Sequence, residues 1–200
     1  MKQNVALALR SRRLFAPNVF RSPIRRTAAR GTGLLLTVAS LILSSTAAHA
    51  ELRAAWEFNP ADVSGASVTA SRSTVANTTG TLTGNAATDA GFLALDGSGD
   101  YLAFGTDVTG LRGLTAMTLC AWVRVGDTNT VLRRIVEHDD NYYFFHDKGA
   151  FRFVIHGTGG ANLTSQTGPA AGTWQHVAAT WQLNQSAKLY VNGVSEATIN

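Results

Sequence analysis

From residue 51 onward, hydrophobic positions come in runs of five to eleven residues, and none keeps a helical period over three turns. Alternation with a period of two, broken by Gly, Asn, Asp and Thr, marks strands separated by turns. The runs are "AAWEF" (54–58), "GTLTG" (80–84), "GFLALDG" (91–97), "DYLAFG" (100–105), "MTLCAWVRV" (117–125), "VLRRIVEH" (131–138), "YYFFHD" (142–147), "AFRFVIHG" (150–157), "TWQHVAATWQL" (173–183) and "AKLYVNG" (187–193). Their spacing of about ten residues predicts an all-β sandwich or barrel. In "MTLCAWVRV", Met117, Leu119, Ala121, Val123 and Val125 share one face, while Thr118, Cys120, Trp122 and Arg124 share the other. A strand apolar on one face and half-apolar on the other suits a sheet inside a sandwich.

Turn chemistry predicts the pairings. Asp147-Lys148-Gly149 makes a tight hairpin between two aromatic strands, since Gly supplies the positive φ. Asn192-Gly193 is the strongest hairpin signal and makes "SEATIN" a returning strand. "DGSGD" (96–100) is expected to fold "FLAL" back onto "YLAF". Residues 60–90 are small and polar and read as a long surface loop or a loosely attached edge.

Charge divides the chain in two. Of 17 basic residues, eight lie in the first 50 positions, where there is no acidic residue; the remainder carries nine basic against 13 acidic residues, a net of −4. The basic pI therefore belongs to the first segment, and a nucleic-acid partner loses its electrostatic support. That segment is laid out as an export leader: an Arg-rich stretch, the apolar run "GLLLTVASLIL" (33–43), and Ala48-His49-Ala50 in small-x-small form. Cleavage is expected after Ala50, giving residues 1–50 as signal peptide and 51–200 as one domain with no membrane contact after processing. The apolar run is short for a membrane helix, which needs about 20 residues. The pairs Arg12-Arg13 and Arg25-Arg26 leave the general and twin-arginine routes both open. Either places the body outside the cytoplasm, secreted or at the cell surface or periplasm. The lone Cys120 allows no intrachain disulfide and reads as a buried, inert thiol.

Taken in order, "AAWEF", "DVSG", "GTL", "LALDGSGDYLAFG", "LTAMTLCAWVRV", "TWQHVAATW" and "AKLYVNG" resemble the LamG-like (laminin G-like, concanavalin A-like) jelly-roll family in its bacterial secreted form. The resemblance spans about residues 54–200 and implies an antiparallel two-sheet jelly-roll sandwich. It also implies further strands after the Asn-Gly hairpin, so the chain is expected to be a fragment or a truncated frame. In the related pentraxins an Asp-Asn pair at the position of Asp140-Asn141 binds calcium, and a disulfide joins the positions of Cys120 and Ala178.

Candidate chemistry centres on "EHDDN" (137–141). Carboxylates and an amide oxygen in one turn suit Ca²⁺, which takes six to eight oxygen ligands, so Asp139, Asp140 and Asn141 are the candidate metal ligands, against a plain solvated turn. Tyr142 and Tyr143 are candidate ligand-binding residues, and one of the two must face out of a regular strand. The four tryptophans, Trp56, Trp122, Trp174 and Trp181, read as core, and His176 as structural. Glu137-His138-Asp139 begins a laminarinase-like Glu-x-Asp-x-x-Glu pattern, but the second glutamate is absent, and retaining hydrolysis needs two carboxyl groups. The expectation is therefore a non-catalytic binding or adhesion module for extracellular glycan or protein within a larger surface protein. The alternatives are a spacer domain without a ligand and a degenerate glycoside hydrolase.

Overall fold

The computed structural model describes residues 5–8 and 51–200, apart from 90, 106, 107, 109, 112, 129, 130, 139, 140 and 158. Seventeen strands follow one another: β1 (Val5–Ala8), β2 (Ala54–Ala55), β3 (Val63–Ser64), β4 (Ser67–Thr69), β5 (Arg72–Ser73), β6 (Thr79–Thr83), β7 (Ala87–Asp89), β8 (Phe92–Leu95), β9 (Tyr101–Ala103), β10 (Ala116–Arg124), β11 (Arg133–His138), β12 (Tyr142–Asp147), β13 (Ala150–Ile155), β14 (Ala161–Thr164), β15 (Gln175–Gln182), β16 (Ala187–Val191) and β17 (Val194–Ile199). A 3-10 turn at Pro60–Asp62 is the only helical element among the described residues, and no helix there is long and apolar enough to cross a membrane.

The large sheet has seven strands in the order β17-β16-β15-β10-β1-β8-β7, and a second sheet runs β11-β12-β13-β14. Strands β3-β4-β6-β9 form a small third sheet, and β2 pairs with β5. One core joins them. Leu93, Ala121, Val123, Val177, Ala179, Leu189 and Val191 of the large sheet pack with Phe144, Phe151, Phe153 and Leu163 of the second, and Phe58 and Val68 complete the cluster. Side chains alternate across each strand, so two apolar faces closing on each other produce a β-sandwich. Each fully buried Phe or Leu contributes about 1.5–3 kcal/mol. Trp181 belongs to this core, and its indole N–H is satisfied by the Gly159 carbonyl at 3.0 Å.

Both short hairpins form as their turn residues dictate. Lys148 and Gly149 hold φ of 51° and 78° between β12 and β13; Asn192 and Gly193 hold 51° and 83° between β16 and β17. Two positive φ values in succession make a type I′ turn, whose twist matches that of the strands. Other expectations need correction. Asp96–Asp100 does not close a hairpin: β8 pairs with β1 and β7, whereas β9 pairs with β6 in another sheet. Residues 60–90 are not simply a loop, because β3 to β7 lie there and Val68 is fully buried. "AAWEF" forms strand only at Ala54–Ala55.

Val5–Ala8, inside the segment read as an export leader, is antiparallel to both β8 and β10 and stands between them. The apolar run 33–43 and the expected cleavage site at Ala50 lie outside the described residues.

Candidate functional site

The region singled out for metal and ligand binding is the turn from β11 to β12. Asp139 and Asp140 lie outside the described residues. Asn141 holds the turn: its N–H donates to the His138 carbonyl at 3.0 Å, and its own carbonyl accepts from His156 at 2.8 Å. Its side-chain amide nitrogen lies 3.1 Å from His138 Nδ1. Among the described residues no three His, Cys, Asp or Glu side chains gather as a metal set.

The two tyrosines part as a regular strand requires. Tyr142 turns into the core at 6% exposure, and burial pushes its pKa up to about 12. This corrects its assignment to a ligand site. Tyr143 faces outward, and two neighbours engage its ring: the Arg134 guanidinium 4.7 Å from the ring centroid and His156 edge-on at 5.0 Å. Arg134 in turn pairs with Glu137 at 2.9 Å.

A second cluster lies on the outer face of the large sheet; it takes Trp122 and Trp174 out of the core, while Trp181 lies in the core and Trp56 packs against it. In β10, Ala121 and Val123 point inward, so Trp122 and Arg124 point the other way. Trp122 stands opposite His176 of β15, their rings 5.3 Å apart at 60°. Phe92 of β8 and Trp174, just before β15, meet edge to face at 6.0 Å. The Arg124 guanidinium lies 5.7 Å from the Phe92 centroid and 5.2 Å from that of Trp174. All five side chains are half-buried. Cys120, Ala178 and Tyr190 continue this face in register, as do Thr180 and Lys188. The directly opposed pair Cys120 and Ala178 is the one the resemblance implied, with no sulfur on the second residue. Burial raises the Cys120 pKa and lowers that of His176, so the thiol stays protonated and the imidazole neutral at pH 7.

The central strands of this face carry charge of one sign only. Strands β8, β10, β15 and β16 contain no acidic residue; the edge strand β7 brings one, Asp89, directly opposite Phe92. Arg72, Arg133, Arg134 and Arg152 each meet a carboxylate, at 2.7, 2.9, 2.9 and 3.6 Å. The Arg124 guanidinium meets none among the described residues and makes no hydrogen bond there; the two rings are its partners.

With sandwich and outer face established, comparison with known proteins adds the lineage. Residues 96–200 match the family described as the Concanavalin A-like lectin/glucanases superfamily. The chain belongs to this superfamily. No curated protein and no solved structure matches. In a concanavalin A-like domain the matched span begins at Asp96 and takes in β9 to β17, which includes four of the five cluster residues; Phe92 lies just before it. The sequence signal for the cluster was present in the Trp122/Arg124 face of "MTLCAWVRV". Alternation told which residues share a face, but not which face meets solvent.

Proposed function

We propose that this concanavalin A-like domain is a secreted, non-catalytic binding module that recognises an extracellular glycan through the outer face of its large sheet. The observation that carries the reading is the aromatic group Phe92, Trp122 and Trp174, held outside the core around Arg124. Aromatic faces offer large apolar area at low entropic cost and pack against the C–H faces of sugar rings, while nearby polar groups set orientation. The non-catalytic part of the proposal rests on the sequence: the pattern that begins at Glu137 lacks its second glutamate, and retaining hydrolysis uses two carboxyl groups about 5–5.5 Å apart.

A glycan array probed with the full chain tests the proposal. Binding is expected to fall at least tenfold in Trp122→Ala and in Trp174→Ala, the loss of about 1.4 kcal/mol or more. Binding that survives both changes but disappears in Tyr143→Ala would move the site to the second sheet. No retention of any glycan would leave a spacer domain or a protein-binding module.

A further inference from the structure

We infer that the outer face of the large sheet takes a glycan bearing an oxyanion, a uronate carboxylate or a sulfate ester, and that Arg124 is the residue that reads it. The inference rests on the glycan-binding reading above and names the class of glycan. A guanidinium is planar, permanently charged and carries five N–H donors. Contact with aromatic rings uses its flat face, whereas hydrogen bonding uses its edge, so the two do not compete. At Arg124 the rings are in place and, among the described residues, the acceptor is not. The other arginines named above have already found carboxylates. A fork held between two rings has lost much of its rotamer freedom before any ligand arrives, so less entropy is lost when it closes on an oxyanion.

Charge around the site points the same way. The body carries nine basic against 13 acidic residues and would repel a polyanion at long range. Strands β8, β10, β15 and β16 nonetheless bear Arg124 and Lys188 and no carboxylate, and the carboxylate this face does carry, Asp89 on β7, stands opposite Phe92 and is not paired with Arg124. A uronic acid or sulfated sugar presents both features that the face would recognise: an apolar ring face for Trp122 and Trp174, and a planar or tripodal anion for bidentate contact with arginine.

Affinity electrophoresis of the full chain tests this, using gels containing alginate as the uronate, dextran sulfate as the sulfate ester, or unmodified dextran. Arg124→Gln is compared with Lys148→Gln, which removes one exposed charge at the β12–β13 turn. The Arg-rich first segment affects every variant alike, so the difference between the two isolates the site. The expected result is a ten- to hundredfold loss of affinity for alginate or dextran sulfate in Arg124→Gln alone, the size of one charge-assisted contact. The polymer affected identifies the oxyanion. Should Arg124→Gln not fold, Arg124→Lys keeps the charge without the fork and is expected to lose severalfold. Equal behaviour of the position-124 variant and Lys148→Gln overturns the inference. So does equal, Arg124-dependent retention by polyglutamate, which would make the ligand an acidic protein. Retention of a neutral glycan that depends on Trp122 and Trp174 but ignores Arg124 would leave the proposed function standing and remove only this inference.

Discussion

His146 is the residue whose environment is least forgiving. It is 1% exposed on the inner face of β12, and among the described residues neither ring nitrogen has a hydrogen-bond partner. Its ring meets Phe151 edge-on at 6.5 Å. The charges that act on it are Arg133, which is directly opposite in the sheet, Asp127, which pairs with Arg133, and its neighbour Asp147. Burial, reinforced by Arg133 and partly opposed by the two aspartates, lowers its pKa to about 4. An unfolded histidine binds its proton near pH 6.5. Between these values the unfolded chain holds more protons than the folded one. Stability is therefore full above about pH 6.5 and falls as pH drops towards 4, by about 3 kcal/mol in total. His146→Phe fills similar space without the two unpaired nitrogens. It is expected to remove this dependence and to raise Tm at pH 5 by about 5 °C, while changing little at pH 7. Melts at the two pH values check it. An unchanged slope of Tm against pH would show that other groups govern the acid limb.

The edge strand β17 is held by an uncommon tether at the level of elements. The Glu196 carboxylate accepts from the backbone N–H groups of Gln166 and Thr167 at 3.0 and 2.9 Å and from the Thr167 hydroxyl at 2.7 Å. These contacts, with the Thr167 hydroxyl foremost, lower its pKa. The tether thus holds at neutral pH and weakens as pH falls through that lowered value. Glu196→Ala is expected to speed amide exchange at Gln166, Thr167 and along β17 while leaving β10 and β15 protected, because edge elements open locally at lower cost than the core. Uniformly faster exchange would mean that the contact holds the whole sandwich. Legibility also sorted by element. "TWQHVAATWQL" and "YYFFHD" announced strands because large residues alternate within them, and Asn192-Gly193 announced its turn because few other pairs tolerate two positive φ values. "ANLT" (β14) and the strands of 60–90 other than β6, which "GTLTG" marks, did not. Their Ser, Thr, Ala and Gly side chains carry little hydrophobic contrast, and pairing with a neighbouring strand supplies what propensity lacks. The aromatic cluster was hidden for another reason. Phe92, Trp122 and Trp174 are apolar and sit in strands, and composition alone assigns such residues to a core.

For the whole molecule, the decisive join is the one β1 makes. Strands β8 and β10 do not pair with each other; each hydrogen-bonds to Val5–Ala8. Cleavage after Ala50, proposed here as part of export, would remove that strand. It would leave two rows of backbone donors and acceptors facing a gap one strand wide, a liability for pairing with another chain. The cluster straddles the same line, with Phe92 on β8 and Trp122 and Arg124 on β10, so the integrity of the face depends on what fills the gap. Residues 51–200 produced alone are therefore expected to melt at a lower temperature than the full chain, with amide protection lost first in β8 and β10. Equal melting and equal protection would mean that the body closes its own sheet and that β1 contributes nothing to it. Repeating both melts with millimolar calcium and with chelator separates the metal proposal from this one, because residues 139–141 connect β11 and β12, both strands of the second sheet. Calcium at 100 times its Kd adds about 2.7 kcal/mol, roughly 5–10 °C for a domain of this size. A shift abolished by Asp140→Ala would assign that turn to calcium, and the absence of a shift in both proteins would leave it a solvated turn. Calcium binding and sheet closure act on different sheets, so the two effects should add. A calcium shift seen in the full chain but missing from residues 51–200 would instead show that closing the large sheet is needed to order the turn on the second.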